Sequence, residues 1–280
     1  MTVYRIVLAA IAAVALVAVA PEANGKGGTP ITTCAQVVTQ SAFLTQDLYC
    51  PGSAGVVIGA SGITIDLKGF MLRGDRSAGH YGVDDQGGFD QLTVRNGVVR
   101  NFYLGVAAFN FADKVVVSGV LASGNVIAGI SLSGFSDSVK SSTGSGNGDT
   151  GIAVGGTGGA KVQSSTASGN GSYGINAGGA SASVKSSTAT GNGILGINID
   201  GPSASLISSI ASGNGEGGIS VNGDATQIKG NRAEANGFAG GSSDLAGLGI
   251  VAFGYTKAPV GTNIARGNDD TAECNPAFLC

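Results

Sequence analysis

Hydrophobic and polar positions recur along most of this chain with a period of about 22 residues. The period is clearest in five segments, in each of which an Asn precedes a Gly-Ile pair: ASGNVIAGISL, GSGNGDTGIAV, ASGNGSYGINA, ATGNGILGINI and ASGNGEGGISV. Their asparagines are Asn125, Asn147, Asn170, Asn192 and Asn214, and Asn236 follows after another 22 residues. A fixed period of this length indicates a protein in which each repeat adds one similar unit to a stack.

Three positions of each repeat, counted from the asparagine, are apolar or small in every copy. Because side chains alternate between the two faces of a strand, these positions predict three short strands whose inward side chains form columns. The columns contain Ile130, Ile152, Ile175, Ile197 and Ile219; Val117, Val139, Val162, Val184, Leu206 and Ile228; and Ala122, Gly144, Ala167, Ala189, Ala211 and Ala233. Coils stacked at about 4.8 Å bury such columns and pair each strand with the next. The sequence therefore predicts an all-β fold, a single-stranded right-handed parallel β-helix (solenoid) of roughly ten coils.

The corners of the coils carry the polar part of the pattern. Each repeat asparagine is predicted to occupy a left-handed corner and to hydrogen-bond with its copies in the coils above and below. The glycine before each repeat isoleucine is expected to adopt a positive φ or to allow a close approach of backbones. Between Phe238 and Leu248 the pattern is interrupted, which predicts a loop pushed out of one coil.

The N-terminal segment reads as a signal peptide, predicted to cover residues 1–23. It has a positive charge at Arg5 and an apolar run from Ile6 to Ala20, which is shorter than the roughly 20 residues that span a bilayer. The mature chain is therefore expected to be exported to the periplasm or the cell exterior, with no transmembrane segment. The remaining organisation is predicted as an N-terminal cap over 24–50, the β-helix over 51–270 and a C-terminal tail over 271–280.

The four cysteines fall into two local pairs, Cys34 with Cys50 and Cys274 with Cys280. In an oxidising compartment they are expected to form two disulfides that close the ends of the rod, where unpaired strand edges would otherwise invite aggregation. A short amphipathic helix over the first coil is expected between Cys34 and Cys50. Zinc is the less favoured interpretation, because the single histidine, His80, lies far from both cysteine pairs in sequence.

Charge and composition exclude some classes of function. The chain has a net charge of −3 and no run of Lys or Arg in its mature part, so nucleic acid is not an expected partner. No cofactor motif and no metal site is predicted. The sequence carries no prediction of oligomeric state.

Taken together, the run from Cys34 through ITIDLKG and LTVRNGVVRNF, the Asn-Gly-x-x-Gly-Ile repeats and the closing Cys-x5-Cys resemble exported bacterial right-handed β-helix repeat proteins with a pectate-lyase-like fold. That superfamily includes pectate lyases, polygalacturonases, mannuronan epimerases, phage tailspikes and proteins with no known activity. The resemblance implies the fold and leaves the function open.

One segment, Leu72 to Gly88, is dense in reactive side chains. Its Tyr81-Gly82-Val83-Asp84 is similar to the start of the Tyr-Gly-hydrophobic-Asp-Pro-His motif of mannuronan epimerases, in which His and Tyr exchange the sugar's ring proton and Asp supports them. Asp85 stands at the position of Pro and Gln86 at the position of His. The candidate catalytic residues are therefore His80, Tyr81 and Asp84, with His80 as the one imidazole available.

Neighbouring residues are candidates for binding a substrate. Arg95 and Arg100 alternate with apolar residues on an early strand and would neutralise a uronate carboxylate. Tyr103 is the third binding candidate, and aromatic platforms are expected from Tyr81, Phe89, Phe102 and Tyr103. In the repeats, by contrast, the outward positions are small and neutral, and Asp200 and Asp224 are interpreted as solvated surface charges.

Three functional interpretations remain. The first is an exported β-helix protein that contacts polysaccharide, with epimerase- or lyase-like activity on uronate polymers. The second is a non-catalytic structural or surface protein in which the rod is a spacer, and the neutral repeat face favours it. A third, ice binding through Thr143, Thr166 and Thr188, is disfavoured because Leu121, Ile210 and Arg232 interrupt that column.

Overall fold

The predicted β-helix is confirmed. The computed structural model describes residues 28–224, 227–237, 247–253, 262–269, 273–275 and 277–280. Within these ranges the chain forms a right-handed parallel β-helix of about 10 turns with about 22 residues per turn. The predicted signal peptide, residues 1–23, lies outside the described residues.

Each coil contributes one strand to sheet 1, which has eleven strands in the described part of the chain, all parallel to their neighbours. The strands of sheet 1 are β2 (Gln36–Val38), β5 (Val56–Ile58), β8 (Tyr81–Asp85), β10 (Leu104–Ala108), β12 (Ala128–Leu132), β15 (Thr150–Val154), β18 (Tyr173–Gly178), β21 (Leu195–Asp200), β24 (Gly217–Asn222), β27 (Ile250–Phe253) and β29 (Cys274–Asn275).

The other two faces, sheets 2 and 3, are joined because two strands, β9 (Thr93–Arg100) and β11 (Val116–Ser123), run through both of them. The remaining strands of sheet 2 are β1 (Thr29–Ile31), β3 (Ala42–Leu44), β6 (Thr64–Asp66), β13 (Ser138–Lys140), β16 (Lys161–Gln163), β19 (Ser183–Lys185), β22 (Ser205–Ile207) and β25 (Gln227–Lys229). Those of sheet 3 are β4 (Leu48–Tyr49), β7 (Met71–Arg73), β14 (Thr143–Ser145), β17 (Thr166–Ser168), β20 (Thr188–Thr190), β23 (Ile210–Ser212), β26 (Arg232–Glu234) and β28 (Ile264–Arg266). A 3-10 helix at Ala277–Leu279 follows the last strand.

The interior is the set of columns that the repeat predicts. Ile152 pairs with Ile175, which pairs with Ile197, and all three are fully buried. Val162 and Ala167 occupy the equivalent buried positions in sheets 2 and 3. The column of sheet 3 to which Ala167 belongs contains only alanine and glycine in the regular repeats. The interior is therefore narrow, and few side chains fill each layer.

The asparagine ladder exists, but the corner geometry differs from the prediction. Each buried asparagine donates through Nδ2 to Oδ1 of the next, as from Asn147 to Asn170 at 2.9 Å. The left-handed residue is not the asparagine but the glycine before it, with φ of 62° at Gly169. Glycine accepts this conformation without steric cost, which leaves the asparagine free to turn its amide along the stack.

The glycine before each repeat isoleucine allows a close approach, as one of the two alternatives predicted. Gly174 does not have a positive φ. A Cβ there would lie 2.5 Å from the carbonyl oxygen of Gly196 and 2.6 Å from Nδ2 of Asn192. The position must be glycine because the next coil and the ladder fill the space.

A second ladder, which the sequence interpretation missed, stabilises the corner between sheets 2 and 3. The backbone N–H of Ser165 donates to Oγ of Ser187, and that of Ser187 donates to Oγ of Ser209, both at 3.3 Å. Each of these hydroxyls also donates to a carbonyl two residues earlier, for example Ser165 to Gln163 at 2.8 Å. The Ser-Ser pairs at 141–142, 164–165, 186–187 and 208–209 were the available signal.

The predicted disulfides are present at the two ends. Cys34 and Cys50 are joined with their Cα atoms 5.5 Å apart, and Cys274 and Cys280 with theirs 6.1 Å apart. The predicted helix between Cys34 and Cys50 is wrong: this segment contains β2, β3 and β4, because Val38, Ala42 and Leu44 bury their side chains in the interior. Residues assigned to a cap therefore include the first coil.

The interruption predicted between Phe238 and Leu248 lies mostly outside the described residues. The ladder nevertheless continues across it, because Asn236 donates to Asn268 at 2.8 Å although the two are 32 residues apart instead of 22. The chain between these two asparagines is therefore ten residues longer than in a regular repeat. In the described part of the chain, no helix is long and apolar enough to cross a membrane.

Replacing one rung of the asparagine ladder should lower stability strongly. Asn170→Ala removes the amide that accepts from the backbone and side chain of Asn147 and donates to Asn192 and to the Gly144 carbonyl. Leaving these buried groups unpaired should cost about 3 kcal/mol or more. Urea denaturation followed by circular dichroism measures this loss. Gln163→Ala, an exposed change in the same coil, is the control, and an equal midpoint for both variants would contradict the structural role of the ladder.

Opening the N-terminal disulfide should also destabilise the rod. Cys34 and Cys50 are 16 residues apart, and a crosslink over a loop of that length is worth about 3 kcal/mol. The double change Cys34→Ser and Cys50→Ser should lower the melting temperature and increase aggregation measured by light scattering. Retained solubility and a cooperative melt at the wild-type temperature would show that the cystine does not protect this end.

Candidate functional site

An aromatic cluster, formed by Tyr81, Tyr103 and Phe109, lies on the outer face of sheet 1. The rings of Tyr81 and Tyr103 are stacked with centroids 6.5 Å apart, and Phe109 meets Tyr81 edge-on at 6.2 Å. All three rings are half-buried. They pack with Leu104, Ala107, Ala128 and Ile127 in a small hydrophobic cluster separate from the main core. The cluster therefore offers partly exposed aromatic surface on a rigid sheet.

The local backbone of β8 explains why Tyr81 and Asp84 face outward. Val83 is fully buried in the core. Gly82 also faces the interior, since a Cβ there would lie 2.2 Å from Cγ1 of Val99. With two consecutive residues turned inward, the residues on either side of them point to solvent. The equivalent Gly-Ile pair produces the same arrangement in the regular repeats.

Asp84 lies on this face next to the cluster. Its Oδ1 accepts from the backbone N–H of Gln86 at 3.2 Å and its Oδ2 accepts from the Gln86 side-chain amide at 3.3 Å. Burial, with the charge of Asp84 and the neighbouring Tyr103, raises the pKa of Tyr81 above its ordinary value. Tyr81 is therefore a neutral phenol that can donate a hydrogen bond.

The other predicted site residues are not gathered at the same place. His80 directly precedes β8 and is half-buried, and its carbonyl accepts from the backbone N–H of Tyr103 at 2.9 Å. Among the described residues, no hydrogen bond links its side chain to Tyr81 or Asp84. Arg95 lies on sheet 2 and forms an ion pair with Asp66 at 2.9 Å. Arg100 is exposed on sheet 3 beside Arg73.

The predicted aromatic platforms divide between surface and core. Phe102 is 1% exposed and belongs to the main core, and Phe89 packs against that core. Tyr81 and Tyr103 are on the outer face as predicted. Phe109 was missed, although it stands two residues after the outward Ala107 and so continues the alternation of β10.

The structure also buries two carboxyl groups, Asp85 on β8 and Asp137 directly before β13. Asp85 is fully buried at an inward position whose neighbour in the next coil is Ala108. Its Oδ1 accepts from the backbone N–H of Phe89 at 3.0 Å, while Oδ2 has no hydrogen-bond partner among the described residues. Asp137 accepts from the N–H groups of Val115 and Gly134, both at 2.8 Å. Burial raises the pKa of Asp85, and it raises that of Asp137 to about 6. No group of three or more His, Cys, Asp or Glu in the described ranges could hold a metal ion.

Comparisons with known proteins show the fold. The chain matches no protein-family model, and no curated protein matches it. Among solved structures, it is similar to the A-module of mannuronan C-5 epimerase AlgE4 from Azotobacter vinelandii, with 15% identity and a TM-score of 0.53, over 76% of this chain and 72% of that one. It is also similar to the Agl-KA catalytic domain, with 13% identity and a TM-score of 0.56, over 84% of this chain and 54% of that one. The chain thus spans about half of the second structure.

The buried Asp137 should make stability depend on pH. Its pKa in the folded protein, about 6, lies above the value of 3.8 for an unperturbed aspartate, so the folded state binds more protons between these values. The contribution of Asp137 to the free energy of unfolding is therefore largest at low pH and is lost as the pH rises through 6. The urea midpoint of wild type should exceed that of Asp137→Asn by more at pH 4 than at pH 7. The exposed Asp224→Asn is the control, and a pH-independent difference for Asp137→Asn would contradict this assignment.

Proposed function

We propose that this is an exported protein that binds polysaccharide along the outer face of sheet 1, with the aromatic cluster and Asp84 as the first binding site. The observation that carries the proposal is the stacked, half-exposed pair Tyr81 and Tyr103 beside the Asp84 carboxylate. An aromatic ring packs against the apolar C–H face of a sugar, and the phenol and carboxylate bind its hydroxyl groups. A rigid sheet holds these groups in place before the ligand arrives, which lowers the entropic cost of binding.

The remaining support comes from the ends of the molecule and from the comparisons. Two disulfides and the apolar N-terminal run with its preceding Arg5 fit export into an oxidising compartment. One of the structures of similar fold is by name a mannuronan epimerase. At this level of identity it supports the class of ligand only by analogy.

Epimerase- or lyase-like action on a uronate polymer is the second candidate for the same site. Its support is that His80, Tyr81 and Asp84 are consecutive or nearly so at the start of β8. Such chemistry needs a base within reach of the ring proton and a cation for the carboxylate. The candidate cations, Arg95 and Arg100, lie on sheets 2 and 3. The geometry therefore supports binding better than proton transfer.

The test is binding by tyrosine variants. Tyr81→Ala and Tyr103→Ala should each weaken binding to a retained polysaccharide by about tenfold, equivalent to about 1.4 kcal/mol, in affinity electrophoresis against starch, β-glucan, galactomannan and alginate. Tyr49→Ala removes a tyrosine that is 58% exposed on sheet 3 and should leave binding unchanged.

Activity is measured in the same samples. Exchange of the sugar C5 proton, followed by NMR, or unsaturated products in wild type that disappear in His80→Ala would establish the second candidate. If wild type neither binds nor alters any polymer of the panel, the non-catalytic rod becomes the better account.

A further inference from the structure

A depression of about 250 Å³ lies farther along the outer face of sheet 1. Gly155 and Gly178 line it together with Ala153, Asn176 and Asp200. A Cβ added at either glycine would meet nothing within 4 Å, and neither has a positive φ. Neither steric crowding nor backbone conformation therefore requires glycine here, and the absence of side chains is what creates the space.

Two residues that line the depression, Asn176 and Asp200, belong to an ordered polar network. Nδ2 of Asn198 donates to Oδ1 of Asn176 at 3.1 Å and to Oδ2 of Asp200 at 2.6 Å. Asn222 donates to the other oxygen of Asp200. Asp200 is thus held by two amides, unlike the solvated charge that its sequence position suggests. Among the described residues, no hydrogen bond involves Nδ2 of Asn176, so the depression offers this donor and the carboxylate of Asp200 as an acceptor for hydroxyl groups.

The depression and the aromatic cluster share one face. Asp84, Ala107, Ser131, Ala153 and Asn176 are successive members of one outward column. From β8 to β18 is four strand steps, or about 19 Å at the usual spacing. The side chains between the two places are small, so an extended polymer could contact both.

The charge of this face selects among polysaccharides. The strands of sheet 1, as far as the structure describes them, contain no Lys or Arg, while the carboxylates of Asp84 and Asp200 are on their outer side. Lysines are found instead on sheet 2, at Lys140, Lys161 and Lys185. A polymer of uronates would bring negative charge to a face that offers carboxylates and no cation, which is unfavourable.

We infer that the depression lined by Gly155 and Gly178 is a second subsite, which binds hydroxyl groups of a neutral polysaccharide whose chain also contacts the aromatic cluster. This inference rests on the proposed function and adds to it the class of ligand and a second contact point. Asn176 and Asp200 provide a donor and an acceptor for hydroxyl groups, and the absence of side chains at Gly155 and Gly178 leaves room for a sugar ring.

The experiment fills the depression without disturbing the fold. Gly178→Val should weaken binding to a neutral polymer of the starch, β-glucan and galactomannan panel at least tenfold, and Asp200→Ala should weaken it in the same direction. Ser168→Val places the same side chain on sheet 3 of the same coil and should bind as wild type. Urea midpoints of the variants check that each is folded. At low ionic strength, where charge repulsion is least screened, wild type should bind the neutral polymer at least tenfold more tightly than alginate.

Each outcome separates this inference from the proposed function. Wild-type affinity in both Gly178→Val and Asp200→Ala, with binding still weakened by Tyr81→Ala, would overturn the subsite and leave the proposed function standing. Alginate bound as tightly as the neutral polymers would overturn the ligand class. No binding by wild type to any polymer of the panel would overturn both.

Discussion

The hydrogen bonding of the corners is the constraint on which the rest of this structure depends. A coil that turns every few residues exposes backbone N–H and carbonyl groups at each corner, and stacking at about 4.8 Å removes those groups from water. The asparagine and serine ladders satisfy them coil after coil. This requirement favours glycine at two positions of the regular repeats for different reasons. The residue before the asparagine has a positive φ, whereas before the isoleucine the next coil and the ladder leave no room for a side chain.

Once the corners and interior are fixed, the outward columns are the positions that remain variable. On sheet 1 they carry tyrosines and Asp84 near one end and glycine, Asn176 and Asp200 farther along. Neither set is needed by the core, since the same strands are held by buried isoleucines and by parallel pairing. Binding groups on a scaffold of this kind are positioned by the repeat and chosen independently of it.

The sequence predicts the regular coils well because identical residues recur at identical positions. Prediction from the sequence fails in the irregular coils, where a shift of one residue in the alignment with the repeat changes whether a side chain points inward or outward. Asn101 lies 24 residues before Asn125, close to one repeat period, but it is the left-handed residue of its corner, with φ of 57°. Phe102 takes the ladder position, where its N–H donates to Oδ1 of Asn125 at 3.0 Å, and its ring enters the core. The sequence also does not show on which sheet Arg95 lies, because β9 continues from sheet 2 into sheet 3 without a break at the corner.

The coil that contains β8 departs from the repeat pattern by placing acidic residues where the regular repeats have apolar or neutral ones. Asp85 places a carboxyl group in the interior column where other coils have Ala108 or Leu132, and one of its oxygens has no partner among the described residues. Asp84, which precedes Asp85 and points to the outer face, adds a second carboxylate close to the phenol of Tyr81. Natural proteins concentrate such conflicts between stability and local environment at functional sites. The regular repeats explain the rod, whereas the irregular coil with its aromatic cluster is where the structure supports a function.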